Sequence, residues 1–264
     1  MPGPNERRGV QIAITRGVSA AIAACELTHL ERQAIDLDRA RAQHRAYEEA
    51  LARAGCRIES LPALDDLPDS VFVEDVAIVL DEIAIVTRPG AESRRPETAR
   101  IAPVLAGHRR VTFIQAPGTL DGGDVLRIGR RIYVGRSGRS DESGTEQLRT
   151  VAWPYGYTVT AVPVGGCLHL KSAVTEVAPG VVLVNPAWVD AAAFGDVRAL
   201  EVDPDEPYAA NGLLAGGRLI YPTSFPRTRR RLENAGVTIE PVDVSELQKA
   251  EGAVTCCSLV FAGV

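Results

Sequence analysis

The chain is almost without lysine: Lys171 and Lys249 are the only two, and its other basic residues are all arginine. It also has no surplus of positive charge, since 34 acidic against 29 basic residues give a formal net charge of −5. A broad attraction to nucleic acid or to an anionic membrane surface is therefore not expected. No apolar run approaches the ~18–20 residues needed to cross a bilayer. The opening stretch MPGPNERRGV has no apolar core of the secretory kind. A cytoplasmic location is expected, with the first nine residues lacking fixed structure. Cysteine is sparse and scattered, at Cys25, Cys56, Cys167, Cys256 and Cys257. An odd count without CxxC pairs or a histidine spacing of the zinc type argues for reduced thiols, not for a disulfide framework or a metal site.

What is present is a repeat. Four stretches read as pairs of apolar strands around a short polar or glycine-containing turn. They are VAIVLDEIAIVTRP from Val76, DVLRIGRRIYVGRS from Asp124, SAVTEVAPGVVLVNP from Ser172 and NGLLAGGRLIYPTS from Asn211, with starts 48, 48 and 39 residues apart. Each is followed by a helix-like segment and one more strand. SRRPETARIAPVLAGH, with Ser93 as N-cap and Gly107 as stop, precedes RRVTFIQAP. SGTEQLRTVAWPYG, VDAAAFGDVRAL and SFPRTRRRLENAG fill the same place in the next three units. Near the N-terminus DLDRARAQHRAYEEALARAG, amphipathic through Leu37, Tyr47 and Leu51, runs into CRIESLP. Its missing hairpin is supplied by the termini, VQIAITRGV at the start and TCCSLVF at the end. Five such ββαβ-like units, closed by joining first and last strands, predict a five-bladed α/β propeller in one domain over residues 1–264. A linear doubly wound sheet does not account for hairpins that alternate with helices.

In such a ring, equivalent positions face a common axis. Asp121 in LDGGD and His169 in CLHLKS each stand three residues before a hairpin, and they are 48 residues apart. They are expected to look into the same central space. The first unit offers Asp69, Glu74 and Asp75 in PDSVFVED, and the last offers Cys256. Adjacent cysteines rarely bond each other, because their side chains diverge. Cys256 is therefore expected to face the axis and Cys257 to pack outward. A thiol beside an imidazole is a nucleophile-and-base pairing, and several acids around it argue for a cationic substrate. Taken singly, each has a plainer reading. GG in LDGGD would supply positive φ in a turn, and CC would be two small buried residues.

The stretches PDSVFVEDVAIV, TRPGAESRR, TLDGGDVL, GRSGRSDE, LHLKS and VTCCSLVF, in this order from about Val18 to Phe261, resemble the dimethylarginine dimethylaminohydrolase family. That family belongs to the pentein superfamily of guanidino-group-modifying enzymes, whose fold is also a five-bladed α/β propeller. The resemblance implies that Cys256 is the nucleophile, His169 the general acid/base and Asp121 the carboxylate beside it. Family members carry Glu or Asp at this last position. It further implies that Asp75 and Glu74 hold the guanidinium. Asp69 and main-chain carbonyls near Val18 and Ala250 would take the α-amino group, and Arg94 with Arg139 would grip the α-carboxylate. Arginine suits that last task because its planar fork meets a carboxylate bidentately.

The reaction so implied converts N-ω-methylated arginine to citrulline and a methylamine through a covalent Cys256 thiouronium. It requires no metal or organic cofactor and a small guanidino amino acid as its only partner, in a monomer or a homodimer. Arginine deiminases resemble this chain in motifs but usually carry an inserted helical module. Agmatine has no carboxylate for Arg94 and Arg139. An amidinotransferase and a catalytically dead propeller used as a binding module complete the alternatives.

Overall fold

The computed structural model describes residues 9–263. The expectation about the first nine residues falls, Gly9 apart, outside that range. β1 (Gln11–Arg16) leads through an irregular segment and helix α1 (Leu37–Arg53) to β2 (Arg57–Leu61). β3 (Ala77–Val79), β4 (Ile83–Val86), α2 (Thr98–Ala106) and β5 (Arg110–Phe113) form the next unit. β6 (Val125–Ile128), β7 (Arg131–Arg136), α3 (Glu142–Ala152) and β8 (Thr158–Pro163) repeat it. The short helix α4 (Leu170–Ala173) precedes β9 (Val174–Ala178), β10 (Val181–Val184) and β11 (Arg198–Glu201). β12 (Leu213–Ala215), β13 (Arg218–Pro222), α5 (Pro226–Asn234) and β14 (Ile239–Val242) follow, then α6 (Ser245–Gln248) and β15 (Leu259–Ala262).

These strands make five three-stranded sheets, ordered β15-β1-β2, β3-β4-β5, β6-β7-β8, β9-β10-β11 and β12-β13-β14. In each, an antiparallel pair is extended by a parallel third strand. β1, for example, pairs antiparallel with β15 (Ile14 opposite Leu259) and parallel with β2 (Ile12 opposite Arg57). The last strand of the chain thus completes the first blade, and a five-bladed α/β propeller results. The middle strand of each blade pairs on both edges and is mostly buried; all four residues of β4, IAIV, are buried. The outer strands β5 and β11 leave their ends exposed. Inner strands touch across the ring, β15 against β3, β6 against β9 and β9 against β12. Among the described residues no helix is long and apolar enough to cross a membrane.

Three local expectations are corrected. Ser93 caps no α-helix: a 3-10 turn over Glu92–Glu97 precedes α2, and the Ser93 hydroxyl donates to Glu26 Oε1 at 2.6 Å. In VDAAAFGDVRAL the segment before β11 forms only a 3-10 turn at Ala191–Phe194, because Gly195 at φ 71° ends it. TCCSLVF is strand only from Leu259, so the two cysteines lie in the turn before β15. Their opposite facings come from that turn and not from strand alternation.

Helix α1 steadies this turn from a distance. Asp36 caps its N-terminus by accepting from the Arg39 N–H, and Ala40, Tyr47, Ala50 and Leu51 fall on its buried face at helical spacing. The Tyr47 hydroxyl donates to the Val254 carbonyl (2.7 Å) and meets Ser258 Oγ (2.6 Å), one bond on each side of Cys256 and Cys257. Tyr47→Phe leaves both partners buried, so it should cost about 1–3 kcal/mol. Denaturant unfolding reads that loss, and a stability unchanged within error would contradict the anchoring.

Candidate active site

Each inner strand is entered through a short turn, and those turns carry the reactive side chains. A 3-10 turn at Val73–Val76 precedes β3 and holds Asp75. Asp121 stands immediately before the turn Gly122–Asp124, and His169 immediately before α4, both with extended backbone. The two positions are equivalent in neighbouring blades. Gly122 and Gly123 lack the positive φ that a plain turn would give them. They are small because space is absent: a Cβ on Gly122 would lie 1.9 Å from the Glu74 carbonyl oxygen. One on Gly123 would lie 2.6 Å from His169 Nδ1 and 2.7 Å from Asp75 Oδ1.

One pocket is lined by Cys256, His169, Asp75, Asp69, Arg94 and Arg139, with Ala250 beside them. His169 Nε2 is 3.0 Å from Asp121 Oδ2, and its Nδ1 lies 3.8 Å from Asp75 Oδ1. Asp75 Oδ1 also accepts the Gly123 N–H at 3.0 Å, and its other oxygen pairs with Arg94 Nη1. Asp69 Oδ2 accepts the Glu26 N–H at 3.1 Å. Arg139 Nη2 donates to Thr28 Oγ1 at 2.9 Å. Cys257 is fully buried away from the pocket, packed in the cluster of Tyr47, Val71 and Phe72. A larger hollow of about 240 Å³, mostly apolar, adjoins the pocket and shares Leu168, Glu251 and Gly252 with it. It holds Cys167 but not the convergence of acids and imidazole.

Four of the residues singled out from sequence are placed otherwise than expected. Asp121 is the carboxylate beside His169, as expected, but it is fully buried behind the imidazole and absent from the pocket wall. Its second oxygen accepts the Gly90 N–H at 2.9 Å, so it orients the imidazole and does not face the pocket. Glu74 is likewise absent from the wall. Its carboxylate is taken by Lys171 and by the Thr255 hydroxyl (2.7 Å), and its N–H donates to the Cys256 carbonyl (3.1 Å). Val18 is buried in the core cluster and lines no part of the pocket. Arg94 reaches the wall, but its guanidinium is already held. Nε and Nη2 donate to Glu97 at 3.1 and 2.8 Å, and Nη2 to the Phe72 carbonyl at 2.9 Å.

Sequence reasoning missed several partners. Glu97 follows Arg94 at i+3, a spacing that could have flagged it. Asp124 ends LDGGD and accepts from Ser140 Oγ (2.7 Å) and the Leu170 N–H (2.9 Å), tying the Asp121 turn to the His169 turn. Glu26, Phe72, Glu251 and Gly252 also line the pocket, from irregular segments without pattern.

The buried charges decide protonation. Burial alone would lower the His169 pKa, but Asp75, then the hydrogen bond to Asp121, then Asp124 outweigh it and push it up to about 9. At neutral pH the imidazole is therefore cationic. Burial pushes the Cys256 thiol up, and Glu74 and Asp75 push it further. Asp75 is held low despite burial by His169 and Arg94. Ligand atoms of Asp75, Asp121 and His169 all lie within 4.8 Å of one another, close enough to chelate a cation. Binding one would break the Asp121–His169 bond and require the protonated imidazole to give up its proton, so the donor set fits a metal poorly.

A five-bladed α/β propeller with a thiol, an imidazole and acids in one pocket defines a pentein, the class of guanidino-group-modifying enzymes. No protein-family model matches the chain. It is similar to the N(G),N(G)-dimethylarginine dimethylaminohydrolase of Streptomyces coelicolor, 44% identical over 248 residues covering 94% of this chain and 95% of that protein. The dimethylarginine dimethylaminohydrolase of Pseudomonas aeruginosa, solved as a cysteine-to-serine mutant complexed with citrulline, superposes with a TM-score of 0.91. The two are 34% identical, over 96% of this chain and 100% of that one. A dimethylarginine dimethylaminohydrolase with histidine replaced by glycine, solved as an adduct with S-methyl-L-thiocitrulline, gives 0.90 at 34% identity over the same shares. The chain belongs to the dimethylarginine dimethylaminohydrolase family.

The raised His169 pKa has a consequence for stability. The folded protein holds this proton more tightly than the unfolded chain, whose histidine titrates near 6.5. The stabilisation is complete below about pH 6.5 and lost as pH rises through about 9. The stability difference between wild type and His169→Gln should therefore shrink as pH rises across that window. Unfolding midpoints measured along the series give it, and a difference that stays flat or grows would contradict the charge arrangement.

Proposed function

We propose that the chain hydrolyses N-ω-methylated arginine to citrulline and a methylamine, with Cys256 as nucleophile, His169 as general acid and base, and Asp121 orienting the imidazole. The observation that carries this is the convergence of Cys256, His169 and Asp75 on one pocket, in a chain whose relatives were solved with citrulline and with a thiocitrulline adduct. Asp75 and Asp69 make the pocket a cation site. Asp75 is the carboxylate we assign to the guanidinium and Asp69 the one for the α-amino group, with Ala250 at its side. Arg139 is the residue we assign to the α-carboxylate. Arg94, its fork filled by Glu97, adds positive charge to the wall and holds Asp75 in place.

The chemistry follows from these charges. A guanidinium is cationic and resonance-stabilised, so its carbon is a poor electrophile. Its positive charge, once seated beside Asp75, offsets the acids that keep the Cys256 thiol protonated, and the thiolate forms on binding as its proton passes to solvent. Sulfur attacks the guanidinium carbon to give a tetrahedral adduct. Cationic His169 gives its proton to the departing dimethylamine, the C–N bond breaks, and a thiouronium on Cys256 remains. His169, now neutral, takes a proton from water as the water oxygen adds to the same carbon. Collapse of that second adduct breaks the C–S bond, the sulfur takes up the hydroxyl proton to restore the Cys256 thiol, and the ureido group of citrulline is left.

Incubation with asymmetric dimethylarginine, arginine and agmatine, following citrulline and dimethylamine release, tests the reading. Cys256→Ser should abolish release while Cys257→Ser keeps most of it. Equal losses in the two variants, or preference for agmatine, would overturn the assignment.

A further inference from the structure

Glu251 is the only non-glycine with positive φ among the described residues, at 56°. Such backbone is disfavoured for any residue with a Cβ and persists only where the surroundings hold it. It stands between Ala250 and Gly252, and all three line the pocket. Its carboxylate Oε1 accepts the successive backbone N–H groups of Thr28, His29 and Leu30 at 3.0, 2.5 and 2.6 Å. Consecutive amides converging on one anion form a nest. This nest joins segments more than 220 residues apart in the chain.

The segment it holds is further fastened by two pocket residues, Asp69 and Arg139, and by Ser93 next to Arg94. The Glu26 N–H donates to Asp69, Ser93 donates to the Glu26 carboxylate, and Arg139 donates to the Thr28 hydroxyl. Residues 26–30 lie in an irregular stretch outside any strand or helix, so no sheet ladder fixes them. Glycine would take φ 56° freely. The glutamate side chain is what the strained backbone delivers to the three amides.

We infer that Glu251 is a positioning residue, a latch that holds residues 26–30 against the pocket and, through Thr28, sets where Arg139 presents its guanidinium. The inference rests on the reading that Arg139 meets the substrate α-carboxylate. Without the latch, Thr28 is no longer held as a fixed acceptor and Arg139 loses its bearing, whereas His169 and Asp75 belong to other elements and the Cys256 turn is held separately, by Tyr47 at Val254 and Ser258 and by the Glu74 N–H. Substrate affinity is then lost more than the rate of the chemical step.

Glu251→Gly relieves the backbone and removes the latch, and Glu251→Gln keeps an acceptor oxygen without the charge. For the glycine variant KM for dimethylarginine should rise about tenfold while kcat changes less than about threefold, the split expected when binding alone is weakened. The glutamine variant should fall between it and wild type. Amide hydrogen exchange at Thr28, His29 and Leu30 should quicken in the glycine variant and stay unchanged in α1. An unchanged KM, a kcat that falls as far as KM rises, or unaltered exchange at the three amides would overturn the latch. A wild-type protein that releases no citrulline would overturn the activity instead, and the exchange at residues 28–30 would still decide the latch.

Discussion

The carboxylate of Asp75 is the joint on which the site turns. It lies in the turn before β3, accepts the Gly123 N–H from the turn before β6, and stands 3.8 Å from the imidazole that precedes α4. Its remaining oxygen is bound to Arg94. Three blades therefore meet at one buried anion. A buried carboxylate is costly unless it is paired and hydrogen-bonded, and here two cationic partners and a backbone amide meet that need. The same pairing obliges Gly123 to remain without a side chain, because any Cβ would occupy the space between His169 and Asp75.

Charge then distributes the chemical roles. Asp75, Asp121 and Asp124 together keep His169 cationic near neutrality, which is the state the proposed general acid requires. The acids around Cys256 have the opposite consequence and hold its thiol in the neutral form. In the proposed mechanism such a pocket gains its nucleophile only when a planar cation enters. Lys171, one of two lysines in the chain, offsets part of this field by pairing with Glu74 beneath Cys256. Cys167 has no such setting. Burial pushes its thiol up to about 12, and its Sγ donates to the His169 carbonyl at 3.3 Å, so it behaves as a buried structural thiol.

Much of the architecture was legible in the residues because blades repeat. The interval from Asp121 to His169 matched the interval between hairpins, and β1 and β15 could be joined because each lacked a partner nearby in sequence. Elements without periodicity were not legible. Glu26 and Glu251 act from irregular segments, where nothing in the pattern tells a pocket residue from a loop residue. Competition for partners was hidden as well. Arg94 and Glu74 carry the right charge for a ligand, yet Glu97 and Lys171 reach them first inside the fold. Gly122 and Gly123 showed the same limit, since the letters suggest a turn and the structure requires emptiness.

The central claim is that the cationic group of the ligand itself generates the nucleophile. It is tested most directly by titrating the Cys256 thiol, through its ultraviolet absorbance or its alkylation rate against pH. The titration is run with Cys25, Cys56, Cys167 and Cys257 accounted for, in the absence and then the presence of a non-reacting guanidinium amino acid. The account predicts a thiol that is protonated at neutral pH when the pocket is empty and that deprotonates near neutral pH once the cation is bound. A thiolate already present in the empty pocket, or a titration indifferent to the ligand, would contradict it.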